Sequence, residues 1–334
     1  MPGLTRREIL LGAAAAPLAA VPRTGMGLAT TCYMTVWRPR DTYEFLEHCH
    51  ALGAGGIQAG LASTEPAYIR KLRERLEATG MYLEVMIGLP REDAGAFERT
   101  VAAAKEAGAL CVRAACLGGR RYETFSTLEA WQRFVADSKA ALTRAVPIVE
   151  KHRMPFAIEN HKDWTLDEMV ALLKSYSSEY LGACLDTGNN LALLDDAMAV
   201  VEGLAPWTIS THIKDMDVES YRDGFLLSEV PLGEGILDLK RVVATIRAAR
   251  PKSRVTLEMI TRNPLQIPCL TDKYWATFPE RSGRYLARAL AMVAARKRHQ
   301  PLPRIDHLDR AVQLRLEADN VKQCLYYARE QLGL

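Results

Sequence analysis

This sequence is short of the features that would place it in a membrane, on nucleic acid or in a redox relay. Its net charge is only +3 over 334 residues. No basic stripe interleaved with aromatics runs through it, so nucleic acid is not an expected partner. No Cys-x-x-Cys occurs. The seven cysteines, Cys32, Cys49, Cys111, Cys116, Cys184, Cys269 and Cys324, are odd in number and sit mostly in apolar patterns, so buried free thiols are expected. No Gly-x-Gly-x-x-Gly follows the first strand pattern, which counts against a dinucleotide fold. The apolar stretch Ile9–Val21 falls short of the ~20 residues that a membrane span needs. No low-complexity linker and no domain boundary interrupts the chain.

What is present is ordinary globular composition, 49% hydrophobic and 25% charged. The N-terminus stands apart. Thr5-Arg6-Arg7-Glu8-Ile9-Leu10 and the Ala-rich run to Ala20 resemble a twin-arginine export signal, with charged start, apolar middle and small residues in that order. Residues 1–24 are therefore read as signal and spacer, with a periplasmic or otherwise extracytoplasmic address and no membrane span in the mature protein.

A strand–helix rhythm begins near Leu28. Strands are expected at Leu28–Tyr33, Gly55–Ala59, Tyr82–Ile87, Leu110–Cys116, Pro155–Glu159, Leu181–Asp186, Thr208–Lys214 and Arg254–Met259. Helices alternate with them. Asp41 with Glu44, Ser126 with Glu129 and Thr165 with Glu168 mark helix starts, Pro66 falls in a first turn, and Asp195–Gly203 and Ser282–Arg298 are the sixth and eighth helices. Near-continuous apolar strands mean a parallel sheet buried on both faces. Eight such units favour an α/β chain closed as a (β/α)8 TIM barrel. The barrel is placed at residues 25–300. Residues 301–334 form a C-terminal helical extension, with Ile305, Leu308, Val312 and Leu316 at helical spacing, packed on the barrel or on a second subunit as a homo-oligomer. Thr261–Arg281 is expected to be a lid or substrate wall, or a packed surface loop.

Four strand patterns end in a polar group able to bind a metal: Glu159, Asp186, His212 and Glu258. Their spacings are 27, 26 and 46 residues. One barrel unit takes about 30 residues, so the first two steps fit one unit each and the third fits a unit with a long insertion. Strand ends converge on one barrel face, so the four can meet. A mainly oxygen ligand set suits one divalent ion, with manganese, magnesium or cobalt ahead of zinc.

Ile158-Glu159-Asn160-His161, Leu185-Asp186-Thr187-Gly188-Asn189, His212-Ile213-Lys214-Asp215, Leu232-Gly233-Glu234-Gly235-Ile236-Leu237-Asp238 and Leu257-Glu258 resemble motifs of the xylose isomerase-like sugar-phosphate isomerase/epimerase superfamily, over about Leu28 to Arg298. The resemblance implies that Glu159, Asp186, His212 and Glu258 hold one divalent ion. It also implies that Glu159 and Glu258 sit where the ketose 3-epimerases of the family exchange a proton from opposite faces of the sugar. Those epimerases carry His three residues after the Asp ligand. This chain has Asn189 there, and His161 can supply a donor or base instead.

Lys214 shares a strand face with His212 and is a second catalytic candidate. Gln58, Arg113, Asn189 and Glu234 are candidate substrate contacts, with Glu84 as a possible structural partner of Arg113. The expected activity is isomerisation or epimerisation of a sugar or polyol by proton abstraction next to a metal-bound carbonyl. A dehydratase or lyase acting on keto-sugars, inosose or oxidised glycosides is the nearest rival. An endonuclease-IV-like phosphodiesterase needs several more His ligands for three zinc ions, and of the seven histidines only His161 and His212 fall at motif positions. A non-enzymatic sugar-binding barrel needs no metal.

Overall fold

Alternation decides the architecture. Along the strands one set of side chains is apolar, with Leu28, Ile57, Leu83, Val85, Val112, Phe156, Ile158, Leu185 and Leu257 all in one core cluster. The intervening set is polar: Gln58, Glu84, Arg113, Glu159, Ser210, His212 and Thr256, all buried. With period two, one set faces the surrounding helices and the other fills the barrel. The computed structural model describes residues 21–296 and 300–334. The export segment at residues 1–20 and the end of the helix expected to reach Arg298 lie outside the described residues.

In chain order the strands are β1 (Gly27–Ala29), β2 (Gly56–Ala59), β3 (Tyr82–Met86), β4 (Cys111–Ala114), β5 (Phe156–Glu159), β6 (Leu181–Asp186), β7 (Thr208–His212), β8 (Asp215–Tyr221), β9 (Gly224–Val230), β10 (Thr256–Leu257) and β11 (Leu265–Ile267). Eight of them pair in the order β10-β1-β2-β3-β4-β5-β6-β7, every pairing parallel. The ring joins where Ile213 N donates to Thr256 O (2.8 Å) and Glu258 N donates to Ile213 O (3.0 Å). This is the expected TIM barrel. Its floor is closed by Tyr82, whose hydroxyl reaches Thr256 Oγ1 and Val255 O, each at 3.0 Å. A Cβ on Gly56 would lie 2.4 Å from the Tyr82 ring, which is why glycine stands there.

The expected strand Leu28–Tyr33 is shorter than its apolar run. It ends at Ala29 and turns into a 3-10 helix over Thr30–Tyr33. Asp41 accepts from Glu44 N (2.8 Å), and Thr165 and Glu168 form the reciprocal capping box. The start assigned to Ser126 belongs to Thr127, whose hydroxyl accepts from Ala130 N (3.2 Å). The helix assigned to Asp195 begins at Ala197 under an Asp196 cap. Asp195 instead binds Leu166 N (3.0 Å), Asn190 Nδ2 (2.7 Å) and Arg281 Nη2 (2.7 Å).

Two larger corrections concern the C-terminal third. The long insertion after β7 is a hairpin, β8 and β9 antiparallel. β11, from the supposed lid, adds to it in the order β11-β9-β8. Met216, Val218, Phe225, Leu227, Leu265 and Ile267 bury its apolar face with Tyr274 and Phe278, so Thr261–Arg281 is a packed wall. The helix Gly283–Ala295 packs on this small sheet through Ala289 and Val293. The main core is instead completed by Val321, Cys324, Leu325, Ala328 and Leu332 of Arg310–Leu332. The C-terminal extension thus packs on the barrel, one of the two placements expected for it, and supplies part of the barrel's core. Glu317, in the same helix, accepts from Thr35 N, Val36 N and Trp37 N at 3.1–3.2 Å, tying down the segment after β1. Among the described residues no helix is long and apolar enough to cross a membrane.

Candidate metal centre

The four strand-end residues meet. Glu159 closes β5, Asp186 closes β6, His212 closes β7 and Glu258 follows β10. One potential ligand atom from each lies within 4.8 Å of the others, and all four side chains are buried. His212 Nδ1 faces Glu159 Oε1 at 3.4 Å, Glu258 Oε1 at 3.5 Å and Asp186 Oδ2 at 3.6 Å. Neither Nδ1 nor Asp186 Oδ2 has a hydrogen-bond partner, although Lys214 Nζ comes within 2.9 Å of the latter. Ligands about 2.1 Å from a tetrahedral ion are about 3.4 Å apart. Three oxygens and an orphaned nitrogen at these separations fit a divalent ion.

The supports are equally built in. Asp186 Oδ1 accepts from Gly188 N (2.9 Å) and Asn189 N (2.8 Å), which leaves Oδ2 for the centre. Asn160 brackets the Asp186 backbone, accepting from its N–H and donating to its carbonyl, each at 2.8 Å. His212 Nε2 lies 2.6 Å from Gln58 Oε1, and Gln58 Nε2 donates to Glu84 Oε2 (2.9 Å). Arg113 pairs with Glu159 Oε2 (3.1 Å) and donates through Nε to Gln58 Oε1 (3.1 Å). Glu84 is therefore not its ion-pair partner: Gln58 stands between them. Gln58 is a polar layer of the barrel.

Burial opposes ionisation of Glu159, yet Arg113 and His212 hold it well below the usual carboxylate range. Burial likewise works against ionised Glu258, and Lys214 and His212 outweigh it. Burial disfavours the imidazolium of His212, but Glu258 and Glu159 raise it to about 9 in the metal-free chain.

Lys214 is fully buried and hydrogen-bonds Glu258 Oε2. Thr31 Oγ1, brought in by the early end of β1, donates to Glu258 Oε1 (2.9 Å). Asn189 Nδ2 donates to Glu159 Oε1 (3.1 Å). His161 is half-buried and its Nδ1 lacks a partner. Burial, followed by the charge of Lys162, lowers it to about 4, against the charges of Glu159 and Glu258, which favour the imidazolium. Glu234 is not brought to the centre. It is exposed on a turn whose Gly233, Gly235 and Leu237 N–H groups grip the Asp215 carboxylate at 2.9–3.2 Å.

A family model described as xylose isomerase-like TIM barrel matches residues 46–281, more than half of the chain. The chain belongs to that family. A curated relative of this xylose isomerase-like barrel is the 3-oxo-isoapionate decarboxylase of Pectobacterium atrosepticum, 27% identical over 237 residues, covering 66% of this chain and 81% of that one. Two solved structures share the fold. An L-ribulose 3-epimerase aligns with a TM-score of 0.54 at 17% identity over 92% of this chain and 96% of its own. A xylose isomerase-like TIM barrel protein from Mycobacterium smegmatis in complex with magnesium aligns with a TM-score of 0.55 at 14% identity over 80% and 98%.

Sequence reasoning about this xylose isomerase-like barrel missed Lys162, Thr31, Glu229 and Arg262. Lys162 directly follows the Glu-Asn-His motif and hydrogen-bonds Asn189 Oδ1. Burial, then Lys214 and Arg262, lower it to about 8. Glu229 is held by Arg262 (2.6 Å) and stands 4.0 Å from Lys214 Nζ. Its signal was the period-two pattern around Asp223-Gly224, which marks the β8–β9 hairpin.

Proposed function

We propose that this chain is a divalent-metal-dependent enzyme of sugar-derived keto compounds, and that it cleaves a carbon–carbon bond next to a carbonyl by decarboxylation. Glu159, Asp186, His212 and Glu258 would hold the ion, manganese, magnesium or cobalt suiting the carboxylate-rich set better than zinc. A bound divalent ion supplies Lewis-acid stabilisation of negative charge developing on a substrate oxygen.

The observation that carries the reading is the pairing of Glu258 with Lys214. A carboxylate clamped by a buried ammonium group and by Thr31, and held well below its usual range, is a poor proton-abstracting base. Decarboxylation needs no base. The bond from the carboxylate carbon to its neighbour breaks, its electron pair passes toward the carbonyl oxygen, carbon dioxide leaves, and a proton is then delivered to carbon. Lys214 holds positive charge where that oxygen gathers negative charge, and His161 is the half-buried group free to pass the proton. The decarboxylase relative supports the same chemistry.

Epimerisation or isomerisation is the second reading, favoured by the two glutamates that converge with His212 Nδ1 and by the epimerase fold neighbour. The metal-loaded protein incubated with a branched 3-oxo sugar acid and with ketoses in deuterated water separates the two. Carbon dioxide release with one deuterium at the new C–H position is expected. Deuterium exchange at unchanged carbon count, with no carbon dioxide, would replace decarboxylation by epimerisation.

A further inference from the structure

Lys162 is a buried cation without a carboxylate. Its side chain is almost fully covered, and its ammonium group makes one hydrogen bond, to the amide oxygen of Asn189. Among the described residues no acid forms an ion pair with it, whereas Arg113, Lys214 and Arg262 each have one. An ammonium group carries three donors, and a buried charge is stable only when it is paired. The missing partner is therefore expected from outside the chain.

The surroundings fix where that partner sits. The Lys162 backbone is anchored by Arg121 N donating to Lys162 O (2.8 Å). Lys214 approaches the same Asn189 oxygen at 3.5 Å, and Asn189 Nδ2 binds the Glu159 carboxylate (3.1 Å). Lys162 thus stands one side chain away from the metal ligands. Around the centre, Glu159, Asp186, Glu229 and Glu258 balance Arg113, Lys162, Lys214 and Arg262. That balance holds with His212 neutral, so once a divalent ion has displaced the His212 proton the layer is left with two surplus positive charges, and a buried surplus of that size calls for an anionic ligand.

We infer that Lys162, held by Asn189 and flanked by Lys214 and Arg262, forms a subsite for a carboxylate of the substrate, so that the enzyme takes sugar acids in preference to neutral sugars. This deepens the metal-dependent reading above and rests on it. Asn189 suits the role because its amide oxygen accepts from lysine while its nitrogen donates to Glu159, one side chain linking the anion subsite to a ligand.

The test is equilibrium binding of malonate and of neutral dihydroxyacetone to manganese-loaded protein, by calorimetry. Lys162→Met and Lys162→Gln are expected to weaken malonate binding by about tenfold or more, the scale of one charged hydrogen bond. Dihydroxyacetone binding and manganese affinity should stay at wild-type values, and Lys162→Arg should restore much of the malonate affinity. Unchanged malonate binding in the neutral variants, or an equal loss for both probes, overturns the subsite. If the neutral variants do not fold, wild type and Lys162→Arg decide it, since neither may then bind malonate and dihydroxyacetone equally well. Should the wild type bind no manganese, the metal-dependent reading fails instead. Malonate titration of the metal-free protein, where Lys162 is still unpaired, then tests the subsite by itself.

Discussion

His212 Nε2 and Gln58 Oε1 are 2.6 Å apart, and that contact selects the nitrogen left for a metal. Gln58 turns its NH2 group to Glu84 and Ser210, so its oxygen can only accept. Donation to that oxygen puts a proton on Nε2, in competition with Arg113 Nη2 at 3.2 Å, and once Nδ1 has lost its own proton its lone pair points toward the three carboxylates. Removing the acceptor frees the ring to rotate or change tautomer. Gln58→Leu is expected to lower manganese affinity by about 10–100-fold with the fold intact, read by titration against a chelator.

Metal binding should expel a proton. In the metal-free chain His212 is raised to about 9, so at neutral pH Nδ1 is occupied, while Glu159 and Glu258 are already ionised. Affinity is therefore expected to climb about tenfold per pH unit up to about pH 9 and then level off. Calorimetry at pH 7 in buffers of different ionisation enthalpy should count about one proton released per ion.

Exchanging His161 for Ala should lower turnover by about 10²–10⁴ while metal content stays near one ion per chain. Loss of the metal together with activity would instead make His161 a support of the ligand set. Near-wild-type turnover would leave its unpartnered Nδ1 without a catalytic role.

Asp163 gives a pH dependence of stability. Burial raises its carboxyl to about 7, against the Trp164 and Leu117 N–H groups that favour the anion. Between about pH 4 and pH 7 the folded state keeps a proton that the unfolded state gives up. Stability therefore falls as pH rises through that window and is flat above it. Asp163→Asn lacks this term. Its unfolding free energy relative to wild type should improve steadily from pH 4 to pH 7 and then level off, by up to about 4 kcal/mol in total.

Glu317 offers one carboxylate to three backbone donors. Glu317→Ala is expected to cost about 3 kcal/mol in urea unfolding, since the N–H groups of Val36 and Trp37 lose their acceptor. Manganese affinity should fall less than in Gln58→Leu.

The four proposed ligands were legible because each sits at a strand end, one barrel unit apart or one unit plus an insertion. Strand ends are fixed by the pattern that makes the strand. What escaped was set by partners distant in sequence. Thr31 reaches Glu258 only because β1 stops two residues before it, although the apolar run continues. Arg113 could be seen to need a partner, but period two alone could not choose Glu159 over Glu84. Glu234 looked like a site residue because its motif is distinctive. The motif's glycines serve the backbone instead, bringing three N–H groups to Asp215. Gly283–Ala295 is short with a clear apolar stripe, whereas Arg310–Leu332 is longer and more polar with a weak one, so the apolar stripe alone pointed to the wrong helix as the barrel's cover.

The last helix holds β1 at both ends: Thr24 Oγ1 donates to Leu334 O (3.0 Å) just ahead of the strand, and Glu317 grips the segment just after it. Those clasps join segments 310 and 282 residues apart in sequence, and contacts of such separation close slowly. Until they close, the first strand lacks its cover. Thr31, which steadies Glu258, waits with it. The proposed metal-binding face is thus completed by contacts of very long sequence separation, so recovery of manganese binding on refolding should lag behind formation of the helices.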